Sequence, residues 1–154
     1  MYQLRGKLSI VMPAYNEEAL IYNSIMQTLS IVEQFAPDLE IIAVNDGSKD
    51  KTKQEIERAI RDDAKQPHPV VPGMRVSGTR IKLVTSNKNR GKGNAIISGI
   101  SQAEGDYIAF VDADLELNPA QLEGYLKKMQ ESGSDVVIGC KFHKDSELHY
   151  PFVR

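Results

Sequence analysis

"YIAFVDADLELNP", residues 107–119, runs through three kinds of local structure in a single line. Tyr107 to Val111 is an apolar and aromatic run of the sort that forms a buried strand. Asp112, Asp114 and Glu116 follow at every second position, and Asn118-Pro119 has the cap-then-proline order that opens a helix. Three acids leaving the end of one strand need something positive to meet them.

The same strand-to-helix order repeats on either side. Five short runs rich in β-branched residues are "LSIVM" (8–12), "LEIIAV" (39–44), "RIKLV" (80–84), "YIAFV" (107–111) and "DVVIGC" (135–140). Several are apolar at consecutive positions, as in parallel strands buried on both faces. Helical spacing fills the gaps. Ile21, Ile25, Leu29, Val32 and Phe35 form one stripe, with Asn16 placed to cap it and the acids of "NEE" suited to a first turn. Ile56, Ala59, Ile60 and Ala64 form a second stripe, and Ile96, Ile100 and Ala103 a third that closes at Gly105. The fourth helix runs from Asn118 through Leu122, Tyr125, Leu126 and Met129 to Gly133. Strand–helix alternation of this kind predicts an α/β fold: an open, mostly parallel Rossmann-like sheet with right-handed crossovers and helices on both faces. Residues 65–80, with three prolines and two glycines, read as an exposed loop inside a single domain spanning 1–154.

Bulk properties narrow the function. The chain has 154 residues, 41% of them hydrophobic, enough for one core. Net charge is −2 and the pI about 5.9, so no basic field recruits nucleic acid. The single cysteine, Cys140, excludes an internal disulfide framework and suits the reducing cytoplasm; it reads as a small buried residue at a strand end. The longest uncharged run, "ALIYNSIMQTLSIV", is too short and polar to span a bilayer, which leaves peripheral contact at the cytoplasmic face of a membrane open. His68, His143 and His149 lack metal-ligand spacing and read as surface residues.

In open parallel sheets, ligands bind outside the carboxyl ends of the strands, where the connection order reverses. The unusual residues collect there: "PAYNEE", "NDGSKD", "SNKNRGKGNA" and "DADLE" each follow a strand. Asp112 and Asp114 are spaced to reach one hard cation together, or for one to bind a metal while the other meets a sugar hydroxyl. Mg²⁺ and Mn²⁺ prefer oxygen ligands, and Mg²⁺ usually takes one or two carboxylates plus phosphates and water. Glu116 is placed to add a third. The plainer reading of these acids is a solvated turn or a helix cap. Asp46 is either part of an Asx-type turn or an acceptor for a base or ribose. "RGKGNA" sets Arg90 and Lys92 beside flexible backbone opening a helix, yet it is neither a Walker A motif nor G-x-G-x-x-G.

Taken together, "SIVMPAYNEE", "IIAVNDGSKDKT", "NRGKGNAIISGISQAEGDYIAFVDADLELNP" and "DVVIGCKF" resemble the nucleotide-sugar-binding part of family 2 glycosyltransferases, which have the GT-A fold. Within that family the dolichyl- and polyprenyl-phosphate mannose and glucose synthases look most alike, and the resemblance runs from Leu8 to about Phe142. It implies that Pro13, Ala14, Tyr15 and Glu17 border the nucleotide and that Asp46 binds its base. It further implies that Asp112 and Asp114 are the catalytic D-x-D pair, meeting the donor diphosphate through Mg²⁺ or Mn²⁺. Glu116 then stands where a further metal contact is common, and Arg90 and Lys92 lie near ribose and phosphate. Two departures stand out: Asn45 replaces a frequent first aspartate, and "GCK" (139–141) replaces glycine-serine-arginine, leaving Lys141 to supply a phosphate-contacting charge without the bidentate fork. Family members continue beyond this region with an acceptor-facing segment, so the chain reads as a fragment or as one whose acceptor half is supplied elsewhere.

The resemblance implies metal-assisted, inverting transfer from a UDP- or GDP-sugar to a lipid phosphate, or to a glycan acceptor. Two other readings remain: a sugar nucleotidyltransferase, against which stands the lack of a glycine-rich pyrophosphorylase signature, and a non-catalytic nucleotide-sugar binder. An open sheet edge after the fifth strand would invite pairing, with no oligomeric state implied.

Overall fold

The computed structural model of the protein describes residues 2–68 and 79–140. Four strands, β1 (Leu8–Ala14), β2 (Leu39–Asp46), β3 (Ile81–Ser86) and β4 (Tyr107–Phe110), alternate with four helices. These are α1 (Ile21–Val32), α2 (Thr52–Asp63), α3 (Lys92–Ile100) and α4 (Gln121–Ser132). The strands form one sheet in the order β3-β2-β1-β4, and every pairing is parallel. Successive connections run one way to β3 and then cross back to β4, so the order reverses beside β1.

The pleat sorts the core into two layers. Leu8, Ile10 and Met12 of β1 and Leu39, Ile41 and Ala43 of β2 point to the side covered by Ile21, Ile25, Leu29 and Val32 of α1, Ile56 and Ala59 of α2, and Leu122 and Leu126 of α4. Val11, Ile42 and Val44 point to the other side, where Ala95 of α3 meets them. Helices therefore lie on both faces, and the central strands β1 and β2 are buried along their whole length. Because α3 packs over β1 and β2, Ile108 and Phe110 of β4, the edge strand among the described residues, which share its side of the sheet with Ser9 and Val11, stay exposed.

The fourth helix ends as expected, with Gly133 closing it in the left-handed conformation at φ 63°, but it begins at Gln121 rather than at Pro119: Asn118 Oδ1 accepts from the Ala120 N–H in the turn before the helix and does not cap it. Several expectations need correction. No fifth strand forms at 135–140, where Val136 and Ile138 are 73% and 79% exposed. β-Branched residues favour a strand only when a partner edge receives them, and this segment instead brings Gly139 against Tyr125 of α4. Cys140, at its end, is exposed rather than buried. Asn16 does not cap α1, which begins at Ile21; it takes a left-handed conformation at φ 56° within the preceding loop. The buried face of α3 is Ala95 and Gly99, with Ile100 exposed, one position out of phase with the stripe read from the sequence. His68 is not a surface residue, since its imidazole is largely covered, with Nδ1 3.9 Å from Asp63 Oδ1. Of the loop at 65–80, residues 69–78 lie outside the described residues, as do Lys141, His143 and His149. No helix among the described residues is long and apolar enough to cross a membrane.

Candidate functional site

At the carboxyl ends of the strands β1 runs on to Ala14, whereas its pairing with β4 ends at Val11 opposite Phe110. Pro13, with no N–H to donate, is tolerated on the side β4 has left. The divergence opens a cleft of about 330 Å³ at the reversal point, lined on different sides by Tyr15 and Glu17, Asp46, Lys92, and Asp112 and Asp114. Pro13 and Ala14 contribute to its wall. Elements 13–17, 46, 89–95 and 112–114 are thus brought to one place, as the sequence reading required.

The loops around the cleft are laced to one another. Asn16 N–H donates to Ser48 Oγ, and Asn16 Oδ1 accepts from the Lys49 N–H. Glu17 N–H donates to Thr52 Oγ1 at 2.8 Å, Glu18 N–H to Asp50, and the Lys51 N–H returns to Glu18 Oε2. Asp50 Oδ1 also accepts from the Thr52 N–H at the start of α2. Asn45, buried, accepts from the Ser48 N–H and closes the "NDGS" turn. These contacts hold the cleft's first two loops as one body. The signal for them in the sequence was the density of Asn, Asp, Ser and Thr in both loops, whose short side chains bond nearby backbone.

Asp46 has a structural task that its motif does not announce. Its carboxylate is buried and accepts from the N–H groups of Arg90 (3.0 and 3.1 Å) and Gly91 (2.8 Å). It thereby places a negative charge beside the N-terminus of α3, where the helix dipole favours one, and fastens the third loop to β2. Arg90 serves this clamp through its backbone; its residue is exposed and is not among those lining the cleft. Asn89, which the sequence reading passed over, does line it.

The acidic turn is held from beneath. Ser24 of α1, buried, donates its hydroxyl to the carbonyl of Ala113, the residue between the two aspartates. Leu115 is in the left-handed region at φ 51°, uncommon for a branched apolar residue, and its N–H bonds to the Asp112 carbonyl. Asp114 Oδ1 accepts from the Glu116 N–H. This tight turn directs Asp114 to the cleft and Glu116 to an adjoining hollow of about 290 Å³, lined among others by Phe110, Leu117 and Tyr125; Asp112 borders both.

Charge in the cleft is unbalanced. Among the described residues, Glu17, Asp46, Asp112 and Asp114 face one lining cation, Lys92, whose Nζ lies 2.6 Å from Asp112 Oδ1. Partial burial, with the charges of Asp114 and Asp50, pushes the Glu17 carboxyl above its ordinary range. No three metal-ligating side chains converge among the described residues. Even so, the donor chemistry suits a hard divalent ion: Asp112 and Asp114 both line the cleft, and Mg²⁺ commonly needs no more than one or two protein carboxylates beside phosphate oxygens.

The family profile described as "Glycosyl transferase family 2" matches residues 9–151. An undecaprenyl-phosphate 4-deoxy-4-formamido-L-arabinose transferase from Enterobacter sp. (strain 638) is 35% identical over 131 residues, 85% of this chain and 36% of the relative. Across the curated relatives of this kind the chain spans between 34% and 40% of their length. Among solved structures, a mannosyltransferase from Pyrobaculum calidifontis in complex with GDP-Man and Mn²⁺ superposes with a TM-score of 0.63 at 23% identity, covering 82% of this chain and 33% of that one. TarS residues 1–349 from S. aureus in complex with UDP gives a TM-score of 0.58 at 26% identity, covering 84% and 33%. The sheet described above is therefore that of the GT-A glycosyltransferases.

Proposed function

The chain belongs to glycosyl transferase family 2, and from that membership we propose that it transfers a sugar from a UDP- or GDP-sugar to a polyprenyl or dolichyl phosphate, with inversion and with Mg²⁺ or Mn²⁺ held by Asp112 and Asp114. The observation that carries this reading is the convergence of four strand-end loops on one acidic cleft of about 330 Å³. In support, relatives by sequence are described as undecaprenyl-phosphate transferases, and proteins of the same fold are described in complex with UDP and with GDP-Man and Mn²⁺.

Each wall of the cleft has a part in the proposal. Pro13, Ala14 and Tyr15 offer an apolar and aromatic surface to the base, and Glu17 borders the ribose. Asp46, besides clamping Arg90 and Gly91, has lone pairs left for a base N–H. Lys92 gives the diphosphate a point charge at the start of α3. Glu116, in the adjoining hollow, lies where an additional ligand or the acceptor would approach. A divalent ion held by Asp112 and Asp114 would supply neutralisation of the charge on the departing nucleoside diphosphate. An acceptor phosphate oxygen is already anionic near neutral pH, so its attack needs no side chain to remove a proton. A glycan hydroxyl would need one, which is why the lipid phosphate is preferred.

Calorimetric titration with UDP, GDP and their sugars, with and without Mn²⁺, tests the proposal. Mn²⁺ should strengthen diphosphate binding about thirtyfold or more, at least about 2 kcal/mol, and Asp114→Ala should remove most of that gain, on the scale of removing one partner of a charged contact. Binding indifferent to metal, or an unchanged response in Asp114→Ala, sinks the metal–diphosphate reading. Binding without transfer to any lipid phosphate would leave a nucleotide-sugar binder.

A further inference from the structure

Lys92 is placed with some insistence. It is the first residue of α3, where a positive charge is disfavoured by the helix dipole. The residues before it are tied down, since Asp46 holds the Arg90 and Gly91 N–H groups and Gly91 turns at φ 90°. From that anchored base its side chain reaches across the cleft to Asp112 at 2.6 Å, a contact that offsets the misplaced charge. The two side chains keep 56% and 44% of their exposure, so the pair is screened by water and separable at small cost.

The ammonium and a divalent ion compete for the same carboxylate, because both are cations drawn to one acid. A nucleoside diphosphate changes the balance, since its oxygens are an alternative charged partner for Lys92. We propose that Lys92 occupies Asp112 in the ligand-free cleft and gives it up when a nucleoside diphosphate enters, so that the metal binds weakly to the empty cleft and tightly beside the nucleotide. Lys92 is on this view a positioning residue that couples the two ligands and orders their arrival. The inference rests on the metal–diphosphate reading given above.

The test is Mn²⁺ binding followed by the electron paramagnetic resonance signal of the free ion, with the chain alone and saturated with UDP or GDP, corrected for Mn²⁺–nucleotide association in solution. Lys92→Met should bind Mn²⁺ alone about fivefold more tightly than the unaltered chain and show a correspondingly smaller gain on adding nucleotide, since coupling between two ligands is reciprocal. Lys92→Arg, which keeps the charge, should restore weak binding to the empty cleft. Lys88→Met removes an exposed charge of the same loop that does not line the cleft, and should leave Mn²⁺ affinity as it was. Equal Mn²⁺ affinity in Lys92→Met and the unaltered chain without nucleotide overturns the inference, as does a roughly fivefold tightening of Mn²⁺ binding in Lys88→Met. If Mn²⁺ still binds beside the nucleotide in those cases, the metal–diphosphate reading survives. Absence of Mn²⁺ binding to the unaltered chain under both conditions overturns the two together.

Discussion

Asp46 is the residue on which the cleft's third loop depends. It is buried at the end of a central strand, and its charge is met by two backbone N–H groups rather than by a side chain. Hydrogen bonds to a charged acceptor are worth more than neutral ones, and a buried group stripped of its partner carries the desolvation cost. Asp46→Asn should therefore cost about 1–2 kcal/mol in denaturant unfolding and speed amide hydrogen exchange at Arg90 and Gly91 well before the rest of α3. Unchanged exchange at those two amides would show that the clamp is not what holds the loop. Gly47, next in sequence, belongs to the same device: at φ 70° its missing Cβ would stand 2.4 Å from the Lys88 carbonyl carbon, so the second and third loops meet backbone to backbone. In the sequence these two residues were legible as a turn, but their partners in the third loop, Lys88, Arg90 and Gly91, were not.

Among the elements, α3 shows why an apolar stripe is an incomplete guide. Its isoleucines at 96 and 100 suggest the buried face, yet the helix turns Ala95 and Gly99 to the sheet and leaves Ile97 and Ile100 exposed. Close approach decided this. A Cβ on Gly99 would meet Val11 Cγ1 at 2.3 Å and Val44 Cγ2 at 3.1 Å, so the helix axis lies nearer the sheet than larger residues allow. Val11 is fully buried and its χ1 is stiff, so it has little room to retreat. Gly99→Ala should thus destabilise by about 1–3 kcal/mol despite its better helix propensity, as overpacking does. A thermal midpoint that rises instead would mean that α3 is free to lift off β1 and β2. The lift would also shift Lys92 and with it the cleft, so nucleotide affinity should fall in the same variant.

Across the whole molecule the two ends of the sheet carry opposite electrostatic arrangements. The carboxyl end has a surplus of acids and an open cleft, whereas charges at the other end are closed upon each other. There Glu40, buried on β2, accepts from Ser9 Oγ and the Glu104 N–H and pairs with Lys7 at 3.1 Å and Lys82 at 3.0 Å, while both lysines also reach Glu104. Burial by itself would raise its carboxyl, but the bonds from Ser9, Glu104, Lys82 and Lys7 outweigh burial and hold it at about 2, against 4.5 ordinarily. Because the folded value is the lower one, the stabilisation is complete above pH 4.5 and is lost as pH falls toward 2, about 3 kcal/mol in all. Urea midpoints should fall over that window, and Glu40→Gln should flatten the fall while lowering stability at pH 7. A parallel acid limb in the variant would assign the loss to other carboxylates.

Much of this protein was settled along the chain itself. The alternation of strand-like runs with helical stripes determined a parallel α/β sheet, because backbone crossovers and burial leave few other ways to pack such a pattern. The placement of "PAYNEE", "NDGS", "RGKGN" and "DAD" after successive strands determined that they meet, since parallel strands share one carboxyl edge. What awaited the tertiary structure were contacts between residues far apart in sequence. Asp46 clamps Arg90 and Gly91, Ser24 supports Ala113, Lys92 stands on Asp112, and "DVVIGC", strand-like in composition, pairs with no edge among the described residues. Local sequence sets which backbone conformations are cheap. Which donor meets which acceptor is decided by where the folded sheet brings them, and no spacing along the chain records that distance.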